Sequence, residues 1–300
     1  TRYRSSAASD VYKRQAPDTG TPPPTPGVTT LATIEAGSGG MEVSTSGDIF
    51  MGDFGMQLSG GSPGERVYRV SPEGAVEVFA EGLYGASGNA MGPDGVLYQS
   101  NIAGGWIARI SPEGEVSQHA AGLSGPVGIA VADDGSLFVA CCGDNTIAHV
   151  APDGTVTTFA DAMLLSCPNG IALADDGNLY VANFYNSKLL SVDPEGSVRP
   201  FVTLEGSNLG HVTWGNDRLY VAVRGAHALA EVDLSGEVTP LVGTGEIGRD
   251  DGDLTTATLS YPNDIALSPD GSTLYFNDVD PAHADSNTIG PVLIRALVLP

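Results

Sequence analysis

Few side chains in this 300-residue chain are placed to do chemistry, and each stands out as an exception to a repeating pattern. His211 and Asn89 fall where the neighbouring segments carry Ile or Met. Each therefore puts a polar group where packing is expected, and a buried polar group needs partners. For His211 the partner is either a neighbouring segment, which makes it structural, or a ligand with which the imidazole trades protons. Asp53, Asn101, Asn183 and Asp278 close short apolar runs, where their oxygens can cap loop amides or face a ligand. Asn169 and Asn263, each directly after a proline, complete with Arg224 the set of candidate ligand contacts.

Other chemistries are excluded. No Gly-rich phosphate loop follows a strand and opens a helix, and no nucleophile elbow is present. The acidic pairs Asp251/Asp253 and Asp278/Asp280 lack the oxygen count of a calcium loop and read as solvated turns. A net charge of −23, from 36 acidic and 13 basic residues, repels nucleic acid. No apolar run approaches the length of a spanning helix. Forty glycines and 20 prolines exclude a helical bundle or coiled coil.

The elements that must position these residues come from a repeat. An apolar pair recurs at Ile49-Phe50, Leu97-Tyr98, Leu137-Phe138, Leu179-Tyr180, Leu219-Tyr220 and Leu274-Tyr275. The copy at 168–202 parses as four strands, A about 170–174, B 178–183, C 188–193 and D 197–202. Asp-Gly and Pro-x-Gly turns join them and supply the left-handed position that tight hairpins need. Four antiparallel strands in about 40 residues make a propeller blade. Strand C recurs six times, the last at Leu293-Ile294-Arg295-Ala296, but strand D follows only five of them. Val28-Thr29-Thr30-Leu31-Ala32 matches Val156-Thr157-Thr158-Phe159-Ala160, so the N-terminal strand is expected to complete the sixth blade and remove an open edge. The fold class is all-β, a single six-bladed propeller over 27–300.

Residues 1–15 hold four of the 13 basic residues and no apolar stretch; they read as a non-native tail of the kind found on environmental sequence fragments. Residues 16–27 are a Pro/Thr-rich linker. The A–B and C–D turns, at the bottom of each blade, are uniform and acidic, which is turn chemistry and solvation. The B–C and D–A connections form the top face. Three of them are long, 54–65, 243–260 and 279–290, and belong to neighbouring blades 1, 5 and 6. That is where a ligand entrance is expected. Within blades, Asn169 aligns with Gly39, Ser87, Val127, Leu209 and Asn263, and His211 with Met41, Asn89, Ile129, Ile171 and Ile265. Cys141 and Cys142 end strand B of blade 3 on the same face as Cys167, at the start of blade 4. A Cys142–Cys167 disulfide, or alternatively Cys141–Cys167, is expected in an exported protein.

The segments 125–140 (Gly-Pro-Val-Gly-Ile-Ala-Val, then Asp-Gly-Ser-Leu-Phe-Val-Ala), 168–183 (Pro-Asn-Gly-Ile-Ala-Leu, then Asp-Gly-Asn-Leu-Tyr-Val-Ala-Asn) and 261–275 (Tyr-Pro-Asn-Asp-Ile-Ala-Leu-Ser-Pro-Asp-Gly-Ser-Thr-Leu-Tyr) resemble NHL repeats and the senescence-marker-protein/gluconolactonase family of six-bladed propellers. The resemblance covers roughly 38–300. It implies a catalytic divalent ion, usually Ca2+, at the top of the channel. Of that family's ligand positions this chain supplies Asn169, while Gly39, Val127 and Leu209 stand at the others. A rearranged site would draw on Asn169, Asp264 and Asp278, with His211 and Asn263 beside them. Virginiamycin B lyase, usually seven-bladed, has similar repeats and uses a histidine with magnesium; His211 and His283 are the top-face histidines here. The resulting expectation is an exported, extracellular or periplasmic monomer, its export signal or surface anchor lost upstream. It binds a small molecule or protein at the top face, with no nucleic acid and no membrane span. The alternative is a metal-dependent, lactonase-like hydrolase or lyase.

Overall fold

Period-two apolar runs, punctuated by Gly and Asp turns, fold into six four-stranded antiparallel sheets. The computed structural model describes residues 25–285 and 287–300. The expected 1–15 tail and most of the 16–27 linker therefore lie outside the described residues. Strand β1 (Gly27–Ile34) comes first. Blade 1 is β2 (Ser38–Val43), β3 (Ile49–Asp53), β4 (Arg66–Val70) and β5 (Val76–Glu81). Blade 2 is β6 (Ala86–Met91), β7 (Leu97–Asn101), β8 (Trp106–Ile110) and β9 (Val116–Ala121). Blade 3 is β10 (Pro126–Val131), β11 (Leu137–Cys141), β12 (Thr146–Val150) and β13 (Val156–Asp161). Blade 4 is β14 (Pro168–Leu173), β15 (Leu179–Asn183), β16 (Lys188–Val192) and β17 (Val198–Thr203). Blade 5 is β18 (Leu209–Gly215), β19 (Arg218–Val223), β20 (Ala228–Val232) and β21 (Val238–Val242). Blade 6 is β22 (Asp264–Leu267), β23 (Thr273–Val279) and β24 (Val292–Val298), and β1 pairs with β24 as its outer strand.

The closing strand behaves as a true strand D. It runs antiparallel to β24 from Gly27↔Val298 to Ile34↔Val292, with Leu31 bulged out of the register. Phe79, His119, Phe159, Phe201 and Leu241 are bulged at the same place in blades 1 to 5. The sequence match between Leu31 and Phe159 therefore marks a shared bulge as well as a shared strand. Between blades, apolar side chains of facing sheets form the core clusters, such as Ile129, Val139, Ile107 and Tyr98 between blades 2 and 3. No helix of the described residues is long and apolar enough to cross a membrane.

Three placements differ from the sequence reading. The 243–260 segment does not roof the channel. It packs Leu254, Ala257 and Leu259 into the core of blades 5 and 6 and pairs Gly252 with Val28 on the free edge of β1. Blade 5 is shifted by one residue: Val212, not His211, lies opposite Val221 as Ile171 lies opposite Val181. The cause is its A–B turn, Asn216-Asp217, with both residues at positive φ (51° and 58°), one residue shorter than the Asp-Asp-Gly turn of blade 4. Strand C of blade 6 is also displaced by one: Arg295 faces Phe276 as Tyr68 faces Met51, which turns the arginine inward.

Candidate functional site

The inner strands meet backbone to backbone around the axis. A Cβ on Gly40 would sit 2.5 Å from Gly88 Cα, one on Gly88 2.8 Å from Gly128 Cα, and one on Gly170 2.5 Å from His211 Cα. Glycine at Gly40, Gly88, Gly128 and Gly170 is thus a packing requirement. The register places His211 and Asp264 at this same level in blades 5 and 6. Two of six ring positions therefore carry side chains, and those side chains meet. His211 Nδ1 lies 3.1 Å from Asp264 Oδ2, with both residues buried.

Asp264 is held from three sides. Its Oδ2 also accepts Met41 N–H at 2.9 Å from blade 1, its Oδ1 accepts Ile265 N–H at 2.6 Å, and its own N–H donates to Asn277 Oδ1 at 3.0 Å. Asn277 in turn donates to Gly39 O at 2.8 Å and accepts from Ser38 Oγ at 2.8 Å, tying blade 6 to blade 1. Burial pushes the His211 imidazole down to about 4. Burial likewise pushes the Asp264 carboxyl well above the carboxylate range, against the pull of its two backbone N–H bonds. Burial acts against charge on each group, and the Nδ1···Oδ2 contact holds one hydrogen; Nε2 can accept a proton in the tautomer that keeps that hydrogen on Nδ1. Among the described residues Nε2 has no hydrogen-bond partner, and it is not among the sealed, unpartnered atoms. It is the nitrogen left without a protein partner.

Asn169 and Asn263 flank this pair. Asn169 donates its amide to Leu209 O at 3.3 Å and Asn263 to Ser38 O at 3.0 Å, each reaching the next blade and leaving its oxygen without a protein donor. On the other side of the axis Asn89 donates to Gly40 O at 3.1 Å and Gln99 Oε1 at 3.2 Å, while its own oxygen is sealed without a partner. The blade-end set is occupied by caps. Asp53 accepts Gly37 and Gly55 N–H, both at 2.9 Å; Asn101 accepts Tyr84 N–H at 2.7 Å; Asn183 accepts Ser166 N–H at 3.0 Å. Arg224 is buried, donates to Tyr261 O at 2.9 Å and lies 5.0 Å from the Tyr261 ring centre. Cys142 is bonded to Cys167, and Cys141 stays a buried thiol.

The residues do not fit the calcium site that the resemblance implies. Asp278 accepts Ser260 N–H at 3.0 Å and faces the buried Arg295 guanidinium at 3.2 Å, away from Asn169 and Asp264. Gly39, Val127 and, after the register correction, Gly210 offer no side-chain oxygen at Asn169's level. Among the described residues no three of His, Cys, Asp and Glu are grouped to hold a metal ion. The set Asn169, Asp264 and Asp278 is therefore not one site.

Sequence reasoning set Glu42 aside, as lying three residues past Gly39 and pointing elsewhere, and missed Gln99 and Asn277. The signal was available, because each breaks the repeat. By register Glu42 stands where other blades carry Ala90, Ala130, Ala172 and Ala266, and Gln99 where they carry Met51, Val139 or Val181. Burial pushes the Glu42 carboxyl up to about 7, although Val43 and Met91 N–H groups donate to it.

Above the blade 6–blade 1 junction the top loops enclose a cleft of about 460 Å3 lined by Glu35, Met56, Gln57, His283, Thr288, Gly290 and Pro291. A smaller one, about 240 Å3, lies beyond the 54–65 loop against Ile102 and Ala103.

The model of the virginiamycin B lyase family matches residues 76–242, more than half of the chain and all of blades 2 to 5. No curated protein matches the sequence. Among solved structures, virginiamycin B lyase from Staphylococcus aureus superposes with a TM-score of 0.63 at 16% identity, covering 91% of this chain and 98% of that one. The same enzyme as a catalytically inactive histidine-to-alanine variant with Quinupristin gives the same score at 16% identity, covering 91% and 99%. A gluconolactonase from Xanthomonas campestris gives 0.69 at 17% identity, covering 91% and 89%. A propeller of the nidogen/laminin complex gives 0.61 at 20% identity, covering 76% and 90%. These likenesses concern the fold. The chain belongs to the virginiamycin B lyase family.

Proposed function

We propose that this member of the virginiamycin B lyase family acts on a small molecule at the top face of its channel, and that His211 exchanges a proton with it. The observation that carries this reading is the His211–Asp264 contact of 3.1 Å, with Asp264 anchored by two backbone amides and Nε2 left without a protein partner. A histidine oriented through one nitrogen by a fixed carboxyl group and open at the other is an arrangement that acid–base catalysis uses. Family membership favours elimination: His211 Nε2 takes a C–H proton, a C=C bond forms, and the leaving group departs with the bonding electron pair and is then protonated. Asn169 and Asn263 then serve as fixed acceptors beside the reacting groups.

A second reading, a propeller that only binds its ligand, is favoured by the glycine contacts at the His211 level, which narrow the axis. A lactone-hydrolysing activity is a variant of the first. We place the protein outside the cell or in the periplasm, as a monomer; the Cys142–Cys167 bridge supports an oxidising compartment.

Incubation with quinupristin and with a gluconolactone, followed by mass spectrometry, separates these cases. Elimination opens the substrate without change of mass, and hydrolysis adds one water. Under the proposal His211→Ala abolishes product while the protein stays folded. Unchanged turnover in that variant removes His211 from the reaction. No turnover at all, with saturable binding that His211→Ala leaves intact, supports the binding-only reading.

A further inference from the structure

The cleft over the blade 6–blade 1 junction is independent of the His211 site and is itself a built feature. Its two walls are the 54–65 and 279–290 loops, and they are stitched together. Gln57 bridges Thr288, Leu58 N–H donates to Asn287 O at 2.8 Å, and Ile289 N–H donates to Met56 O at 3.0 Å. The Asn287 side chain accepts Ser59 N–H at 3.0 Å and donates to Ser59 O at 3.2 Å, replacing a backbone strand pair. Below, Ser38 N–H donates to Ile289 O at 2.8 Å, which ties this roof to the inner strand of blade 1. Gly290 allows the close approach, since a Cβ there would sit 2.3 Å from Ala36 O. An open cleft of about 460 Å3 with such walls has room for a small molecule.

Its lining carries one carboxylate, Glu35, together with the imidazole of His283. Glu35 is exposed, and among the described residues its carboxylate makes no ion pair or hydrogen bond. No Lys or Arg lines the cleft. The cation that its acidic loop recruits, Arg249, is bound to Asp280 at 3.1 Å. The lining also has a soft, apolar part, Met56 (41% exposed) and Pro291. An acidic protein of net charge −23 raises the local concentration of cations around such a site.

We propose that this cleft binds a small organic cation, with the ammonium against Glu35 and the apolar body on Met56 and Pro291. An anion meets an unpaired carboxylate, and a purely apolar ligand leaves that carboxylate desolvated.

The test uses the full chain with methyl-labelled methionine, the Met56 signal being assigned by its loss in Met56→Leu. Phenethylammonium is the probe, with 2-phenylethanol and phenylacetate as neutral and anionic counterparts. Under the proposal the Met56 methyl signal moves saturably with the ammonium alone. Binding weakens about two- to fivefold in Glu35→Gln, as for a partly solvated ion pair. In Glu35→Lys the preference turns toward phenylacetate. Equal response to the alcohol, an unchanged affinity in Glu35→Gln, or no movement of Met56 at millimolar ligand overturns it. Because Glu35 is exposed, both variants are expected to keep the wild-type melting temperature, which checks that the fold is intact.

Discussion

Replacing Arg295 by methionine is predicted to be among the most damaging single changes outside the channel. The guanidinium is fully buried and makes four charge-assisted bonds: Nη1 to Thr258 O at 2.7 Å and Asp278 Oδ2 at 3.2 Å, Nη2 to Asp250 O at 2.9 Å and Asp251 Oδ1 at 3.0 Å. Asp251 also accepts Thr30 N–H at 2.9 Å and Thr30 Oγ1–H at 2.8 Å. One side chain thus ties blade 6, the 243–260 wedge and the closing strand. Methionine fills similar volume, so the loss is electrostatic: Asp278 is left buried without its cation. Breaking one side of a buried pair costs about 3–5 kcal/mol. For a domain of this size that lowers Tm by roughly 6–20 °C. Calorimetry of Arg295→Met against the double variant Arg295→Met/Asp278→Leu distinguishes the causes. If the orphaned carboxylate is the problem, the double variant is more stable than the single one. A drop of less than about 1 kcal/mol in Arg295→Met, or a double variant that is less stable still, refutes the reasoning.

Glu42→Ala installs the residue that four other blades carry there. Because burial holds the native carboxyl near 7, above its unfolded value, the wild type loses stability as pH rises from about 4.5 to 7. The variant is expected to flatten that fall and gain on the order of 2 kcal/mol at pH 8, read by urea unfolding across pH; an unchanged pH profile contradicts it. Under denaturing, non-reducing conditions a thiol reagent should titrate one cysteine, Cys141, and three after reduction. With its cysteines 25 positions apart, the bridge is worth about 3.5 kcal/mol, so Cys142→Ser/Cys167→Ser should unfold correspondingly earlier in denaturant. Gly170→Ala forces a methyl against His211 Cα and is expected to cost about 1–3 kcal/mol and to shift the His211 ring resonances, whereas wild-type spectra in that variant would contradict the contact.

The architecture was legible because each level of the sequence agreed with the others: apolar anchors, Gly turns and a matching Val-Thr-Thr segment at the far end all specify the same blade. The misreadings share a physical origin. Counting backwards from Leu219 across a turn assumed to match its neighbours displaced His211 by one residue, because Asn216-Asp217 makes a shorter turn. Strand C of blade 6 follows the long 279–290 loop, which gives no length anchor, so the repeat alone does not show that Arg295 takes the inward place of Tyr68. The 243–260 loop was counted among those bordering the ligand entrance because loop length says nothing of direction; Leu254, Ala257 and Leu259 are what carry it into the core. The strand-end Asp and Asn residues were visible as caps or contacts, and geometry spends Asp53, Asn101 and Asn183 on caps. What sequence could not provide was the pairing of His211 with Asp264. Their contact depends on two neighbouring blades both lacking glycine at one level of the ring.

The central claim is that His211 is a neutral, Asp264-oriented imidazole whose Nε2 serves the ligand. Nitrogen-15 NMR of the imidazole, assigned through His211→Asn, tests it directly. The account predicts no titration of His211 between pH 5 and 8, in keeping with a value near 4, a hydrogen-bonded Nδ1 that Asp264→Asn alters, and an Nε2 signal that moves when substrate binds. A His211 that titrates near 6.5 and ignores both Asp264→Asn and substrate would contradict it.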